Sequence, residues 1–146
     1  AFETPDLISK CANKFGSQSV IVSIDCKKTE IGYEVFTEGG EKATGMIALD
    51  WAKEVESLGA GEVLINSIDR DGYGNGYDSD LYAPIQKSLK TPVIICGGVG
   101  KIEDFSIGYN EVKPHALAAA NIFHFIEHSD KVIKKHLLSR DVNVRC

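Results

Sequence analysis

Four short apolar runs, Ser19–Ile24, Glu62–Ile68, Pro92–Cys96 and Ala116–Ala120, recur between stretches of helical periodicity, and this rhythm restricts the fold more than any other feature. Each run is too short for a typical helix. The first three are rich in Val and Ile with little alternation, which predicts strands covered on both faces of a parallel sheet. The fourth, ALAAA, has a helical composition and is read as a strand from its place in the rhythm.

Helical patterns fill the gaps. Thr4 is placed to cap a first helix, with Pro5 in its first turn and Leu7, Ile8 and Cys11 on its apolar stripe. Ile47, Trp51, Val55 and Leu58 share one face of a second helix, and Gly59 supplies its stop. Ser79–Leu89 reads as a third helix in which Pro84 implies a late start or a kink. Lys101–Tyr109 and Ser129–Leu138 read as the fourth and fifth. Tyr33–Thr37 followed by Glu38-Gly39-Gly40-Glu41 predicts a β-hairpin over the end of the first strand.

Consecutive βα units imply right-handed crossovers and a parallel sheet. Four such units are half of a (β/α)8 barrel, whose usual length is about 250 residues. A four-stranded doubly wound sheet is the structural rival. No linker divides the 146 residues, which suffice for one domain with its own core. Val22-Ser23-Ile24-Asp25 faintly echoes Asn66-Ser67-Ile68-Asp69, with Asp at a strand end in both.

A net charge of -5 argues against a basic surface for nucleic acid or anionic lipid. Any anion is therefore held locally. No apolar run approaches the ~20 residues of a membrane span. The opening AFETPDLISK lacks the basic start and apolar stretch of a secretory signal, and it lacks an initiator Met, as a fragment or processed product would. Cys11, Cys26, Cys96 and Cys146 form no CxxC pair and show no zinc spacing. Reduced thiols of a cytoplasmic protein are expected, with no metal or other cofactor.

Sites in parallel α/β folds gather at the carboxyl ends of strands. Here those ends carry Asp25, Asp69-Arg70-Asp71-Gly72, Cys96-Gly97-Gly98-Val99-Gly100 and Ala119-Ala120-Asn121. Glycines let the backbone approach an anion, and N–H groups at a following helix start would donate to it. The same glycines would equally serve to turn the chain. Asp25, ending an apolar strand, is placed for general acid–base work, and Asp71 for proton transfer; each has a bland reading as a loop cap or turn residue. Asp69 and Asp78 read as turn or cap residues. The loop Gly72–Asp78 reads either as a flap over ligand or as plain surface. His115 and His124 read as structural or solvated, and Glu62 begins its strand at the end opposite the site.

At these residues the chain resembles a known family. Phe15-Gly16-Ser17-Gln18 with Val20–Asp25 resembles the fifth strand of the cyclase subunit of imidazole glycerol phosphate synthase. Thr44-Gly45, Asp50-Trp51, Ser67–Gly72, Gly76-Tyr77-Asp78, Gly97–Lys101, Ala118-Ala119-Ala120, Phe123-His124-Phe125 and Val142-Asn143-Val144-Arg145 match its later motifs in order. The likeness covers nearly the whole chain and implies strands five to eight of the barrel, as a single C-terminal half.

The resemblance also implies an activity. The family forms imidazole glycerol phosphate and an aminoimidazole carboxamide ribotide from a ribulosyl-bearing nucleotide and ammonia, the ammonia coming from a partner glutaminase. By motif, Asp25 is its catalytic acid/base and Asp71 the supporting acid. Gly72, Gly97, Gly98, Ala120 and Asn121 would hold a substrate phosphate, and Glu62 falls at a charged gate for ammonia. The family's second catalytic Asp and second phosphate site belong to the first half, so the isolated chain is expected to turn over poorly and to pair with that half or with itself. Cys96 and Asn121 stand where Ser is commoner, and Asn66 where Thr is. These departures keep open a paralogue delivering ammonia in bacterial surface-glycan pathways. A non-catalytic phosphate-binding half-barrel is the third reading.

Overall fold

The computed structural model describes residues 1–125 and 129–145. Helix α1, Asp6–Phe15, precedes strand β1, Ile21–Thr29. A hairpin of β2, Gly32–Thr37, and β3, Lys42–Ile47, follows, then α2, Ala48–Ser57. Three further units are β4, Glu62–Ser67, with α3, Ser79–Ser88; β5, Val93–Cys96, with α4, Glu103–Val112; and β6, Ala116–Leu117, with the short α5, Ile122–Phe125. Helix α6, Ser129–Leu138, ends the series.

One six-stranded sheet runs β3-β2-β1-β4-β5-β6. Strands β1, β4, β5 and β6 are parallel and adjacent in chain order, and the hairpin pairs antiparallel with the far part of β1. A doubly wound sheet reverses its strand order and puts helices on both faces. Neither happens among the described residues, so the fold is half of a (β/α)8 barrel.

The cause is visible in the register. Val22 pairs with Val63 and Val63 with Val93; Ile24 pairs with Ile65 and Ile65 with Ile95. Paired residues share a face, and all six are buried, beneath helices α2, α3 and α4. The intervening residues Ser23, Leu64 and Ile94 are exposed or half-exposed on the other face. The expectation of strands covered on both faces is thus corrected: the second face has no opposing layer among the described residues. Hydrophobic runs read identically in both cases, because the inner face of a barrel is also apolar.

Several boundaries differ for local reasons. Pro5, not Thr4, occupies the helix cap, and no side chain caps it. Ile47 ends β3 rather than opening α2. Pro84 sits inside a helix that runs through it. Helix α4 starts at Glu103 instead of Lys101, because the Asp104 carboxylate takes the N–H groups of Gly100 and Lys101 at 2.9 and 3.0 Å. Strand β6 stops at Leu117, short of Ala120: it has β5 on one side and no strand on the other among the described residues. The echo between Asp25 and Asp69 is out of register, since Asp25 pairs with Asn66.

One-sided burial has a measurable consequence. Ile65 is fully covered, whereas its neighbour Leu64 faces the open side. Ile65→Ala should cost about 3 kcal/mol and Leu64→Ala about 1 kcal/mol or less in urea unfolding at low protein concentration. Equal costs would mean that the inner face is covered in solution.

Candidate functional site

The parallel ladder that aligns the core also aligns the chemistry. Asp25 pairs with Asn66, and Asn66 with Cys96, one strand position beyond the last buried aliphatic row. All three side chains therefore leave the sheet on the open face, at its carboxyl rim. Asn66 Nδ2 donates to Asp25 Oδ1 at 3.2 Å, which orients the carboxylate. The other end of that amide, Oδ1, is buried without a hydrogen-bond partner.

Asp71 arrives from a tight turn. The Ser67 carbonyl accepts the N–H groups of Arg70 and Asp71 at 3.2 and 3.0 Å, bringing the exposed Asp71 back over the rim. It borders a small cleft with Gly72, Cys96, Gly97, Gly98, Val99, Ala119, Ala120 and Asn121. An adjoining opening of about 220 Å³ continues past Gly72, Gly74, Gly100 and Asn121. The expected phosphate residues and Asp71 are thus brought together, with Asp25 two strands away in the row that Cys96 ends. Burial first, then the charge of Asp71 and last that of Asp25, push the Cys96 thiol above its ordinary pKa, against a smaller lowering by the Gly97 N–H. The thiol is a neutral, poorly nucleophilic wall.

Close backbone packing shapes the cleft. The loop at residues 72–76 lies directly on the turn at residues 97–100. Gly76 N–H donates to the Gly98 carbonyl at 2.8 Å, and a Cβ on Gly98 would stand 2.2 Å from the Gly76 oxygen. Gly97 has φ +102°, and a Cβ there would press the Ser67 oxygen at 2.8 Å. Glycine is required at both positions. Arg70 Nη1 donates to the Asn75 carbonyl at 3.1 Å, so the loop is tied down rather than free.

Two expectations change. The helix-start amides of Gly100 and Lys101 are already taken by Asp104. The amides left to an anion are those of the turns themselves. Asp78 occupies the cap position of α3, but its buried carboxylate bonds elsewhere: it accepts from Tyr33 Oη at 2.8 Å and Ser67 Oγ at 3.4 Å, with Arg70 Nε at 4.0 Å. Asp69 accepts the Lys28 N–H at 2.6 Å and pins the end of β1. Glu62 lies apart from all of this, about 13 Å along β4 from Asn66 at the usual strand rise. His115 Nδ1 faces the Val93 N–H at 3.2 Å, and His124 is exposed on α5. Among the described residues no cluster of His, Cys, Asp and Glu could hold a metal ion, and no helix is long and apolar enough to cross a membrane. Cys146 lies outside the described residues.

Sequence reasoning noted Asn66 only as a departure and missed Asp104 altogether. Asn66 was findable as the polar residue one place before the Ser67 turn. Asp104 was findable as an acid four residues beyond Gly100, within reach of unpaired helix-start amides.

Residues 1–129 match the histidine biosynthesis protein family. The chain is 47% identical over 145 residues to the imidazole glycerol phosphate synthase subunit HisF of Natranaerobius thermophilus, covering 99% of this chain and 58% of that protein. The subunit of the same name from Pelodictyon phaeoclathratiforme is 46% identical over 145 residues, and that from Alkaliphilus metalliredigens 41% over 146, each with 99% and 58% coverage. The chain spans a little over half the length of these relatives.

Beneath the site, burial pushes the Cys26 thiol from 9.0 up to about 12, with Asp25 adding to the shift. Below pH 9 the thiol is neutral in both folded and unfolded chains. Above it only the unfolded chain ionises freely, so stability falls as pH rises toward 12. Between about pH 8 and about pH 10.5 this group alone should remove up to about 2 kcal/mol in urea unfolding. Cys26→Ala should lose correspondingly less over the same interval; an identical loss in both proteins would contradict the assignment.

Proposed function

This chain belongs to the histidine biosynthesis protein family, and from that premise we propose that it is the second half of a cyclase barrel of imidazole glycerol phosphate synthase. The activity is closure of an imidazole ring with release of an aminoimidazole carboxamide ribotide, from a ribulosyl-bearing nucleotide and ammonia. The observation that carries this reading is the shared rim: Asp25, Asn66 and Cys96 form one row across three strands on the open face, and Asp71 and the Gly97–Gly98 turn border its Cys96 end.

In this reading the backbone N–H groups around Gly72, Gly97, Gly98, Ala120 and Asn121 grip one phosphate of the nucleotide. An uncharged cradle suits an acidic chain, because it binds through oriented dipoles rather than net charge. Asp25 exchanges a proton with the reacting atoms as general base and acid, held in place by the Asn66 amide. Asp71, which lines the cleft with Cys96, assists proton transfer beside the phosphate. The complementary half, on the same polypeptide or another, adds a second acid and a second anion site. A glutamine amidotransferase subunit seated on the opposite rim, where Glu62 lies, delivers ammonia through the barrel. No cofactor is needed for proton transfer and ring closure. The relatives' names favour the histidine-pathway reading over a surface-glycan paralogue.

Two open sheet edges support dependence on a second half. Among the described residues, Ile21–Ile24 of β1 pair with β4 alone, and β6 pairs with β5 alone. Ile21 is 56% exposed on the first edge. We therefore expect the isolated chain to associate, and a clean monomer at high concentration in light scattering would contradict it.

The acid–base assignment is tested in the complete barrel. Asp25→Asn should lower kcat by about 10²- to 10⁴-fold with little change in KM for the nucleotide. Unchanged kcat would exclude Asp25 as the proton carrier.

A further inference from the structure

Two buried phenols are left over by this account. Tyr77 precedes α3 and Tyr82 lies within it; their rings meet edge-on, centroids 6.3 Å apart, behind the sheet. Packing alone would be served by phenylalanine, since a buried hydroxyl must recover the hydrogen bond it loses to water. Each hydroxyl instead reaches a strand end. Tyr82 Oη donates to the Cys96 carbonyl at 2.5 Å, and Tyr77 Oη donates to the Ala118 carbonyl at 2.9 Å. Helix α4 makes room for this: a Cβ on Gly108 would stand 2.3 Å from the Tyr77 ring, so a glycine, costing about 1 kcal/mol against alanine in a helix, is kept at that position.

The two carbonyls belong to peptides that border the anion cleft. A trans peptide is planar, with its C=O and N–H pointing in opposite directions. Gripping the Cys96 oxygen from the helix side turns the Gly97 N–H toward the open face. There it stands against the Cys96 sulfur, whose side chain faces the same way. Gripping the Ala118 oxygen turns the Ala119 N–H into the cleft that Ala119, Ala120 and Gly97 line. We propose that Tyr77 and Tyr82 are positioning residues for the anion site, each locking one peptide plane so that its N–H is already aimed at phosphate. Burial, the first cause of their raised pKa values, keeps both phenols protonated as donors. The inference rests on the phosphate reading given above.

The test is residue-specific. The ¹⁵N-labelled chain is titrated with inorganic phosphate while the amide signals of Gly97 and Ala119 are followed. Both should shift in the parent. Tyr77→Phe should lose at least half of the Ala119 response and keep that of Gly97; Tyr82→Phe should do the reverse. The double variant should raise the phosphate Kd by about tenfold or more. Tyr109→Phe, outside the cleft, should match the parent. General loosening would weaken both signals alike in each single variant, and that result, or parent-like shifts in both, overturns the assignment. Should one variant fail to fold, the one-to-one pairing is read from the other. A parent that binds no phosphate would sink the anion site itself, and the tyrosine roles with it. Phosphate binding with undifferentiated variants sinks the tyrosine roles alone.

Discussion

The parallel ladder of β1, β4 and β5 fixes almost everything else in this molecule. Because the strands follow one another in chain order, every crossover helix lands on the same face. Side chains alternate with the pleat, so Val22, Ile24, Val63, Ile65, Val93 and Ile95 must enter the helix-covered core together. The residues between them must then leave on the opposite face together. A slip of one position in any strand would bury Asp25 or Asn66 and expose Ile24 or Ile65. Register is therefore set by core burial, and the rim of polar side chains is its by-product. No separate interaction is needed to bring Asp25, Asn66 and Cys96 to one height.

What the core cannot set is the shape of the turns beyond the strand ends. That task falls to buried carboxylates and to glycine. Asp104 gathers the start of α4, and Asp78 joins the hairpin, through Tyr33, to the end of β4, through Ser67. Backbone then packs on backbone, Gly76 against Gly98, with no side chain between. Such a surface presents mainly backbone, which would suit the proposed anion on a chain whose own charge is negative. The hairpin contributes by closing over β1: it pairs with Asp25 through Phe36, so the acid is flanked by strands on both sides and cannot splay outward.

The strands, the Asp that closes the first apolar run and the Gly-Gly turn were legible because they are local statements, although β1 runs on to Thr29 instead of ending at Asp25, because the hairpin strand β2 pairs with its far part. Three things were not. Strand β6 was overextended because its length depends on neighbours that the ALAAA run does not encode. Covering of both sheet faces was assumed because a barrel interior and a sandwiched sheet share one hydrophobic pattern. The hydrogen bonds of Asp78, Asp104, Tyr77 and Tyr82 were invisible because they cross 3 to 45 positions of chain, and no spacing rule links a tyrosine to the carbonyl it will meet. The resemblance to a cyclase half carried the functional reading where spacing could not. The family match supports that resemblance, while the roles of individual residues rest on geometry and proposal.

On the proposed reading, the same geometry accounts for a half that would keep a site yet need completion. Its proposed anion cradle is local, built from the turns that follow β4, β5 and β6, with the peptides at Cys96 and Ala118 held from the helix side. Its acid is braced by Asn66 and the hairpin. Nothing in either depends on an opposing layer. What an opposing layer would change is the medium. Here the face bearing Asp25 is open to water, where a hydrogen bond to phosphate or a proton transfer competes with bulk solvent. Enclosing that face lowers the effective dielectric around the Gly97 turn and strengthens every oriented dipole already in place. On the proposed reading, closure of a barrel would act on a site whose geometry is built beforehand, by excluding water rather than by reshaping it.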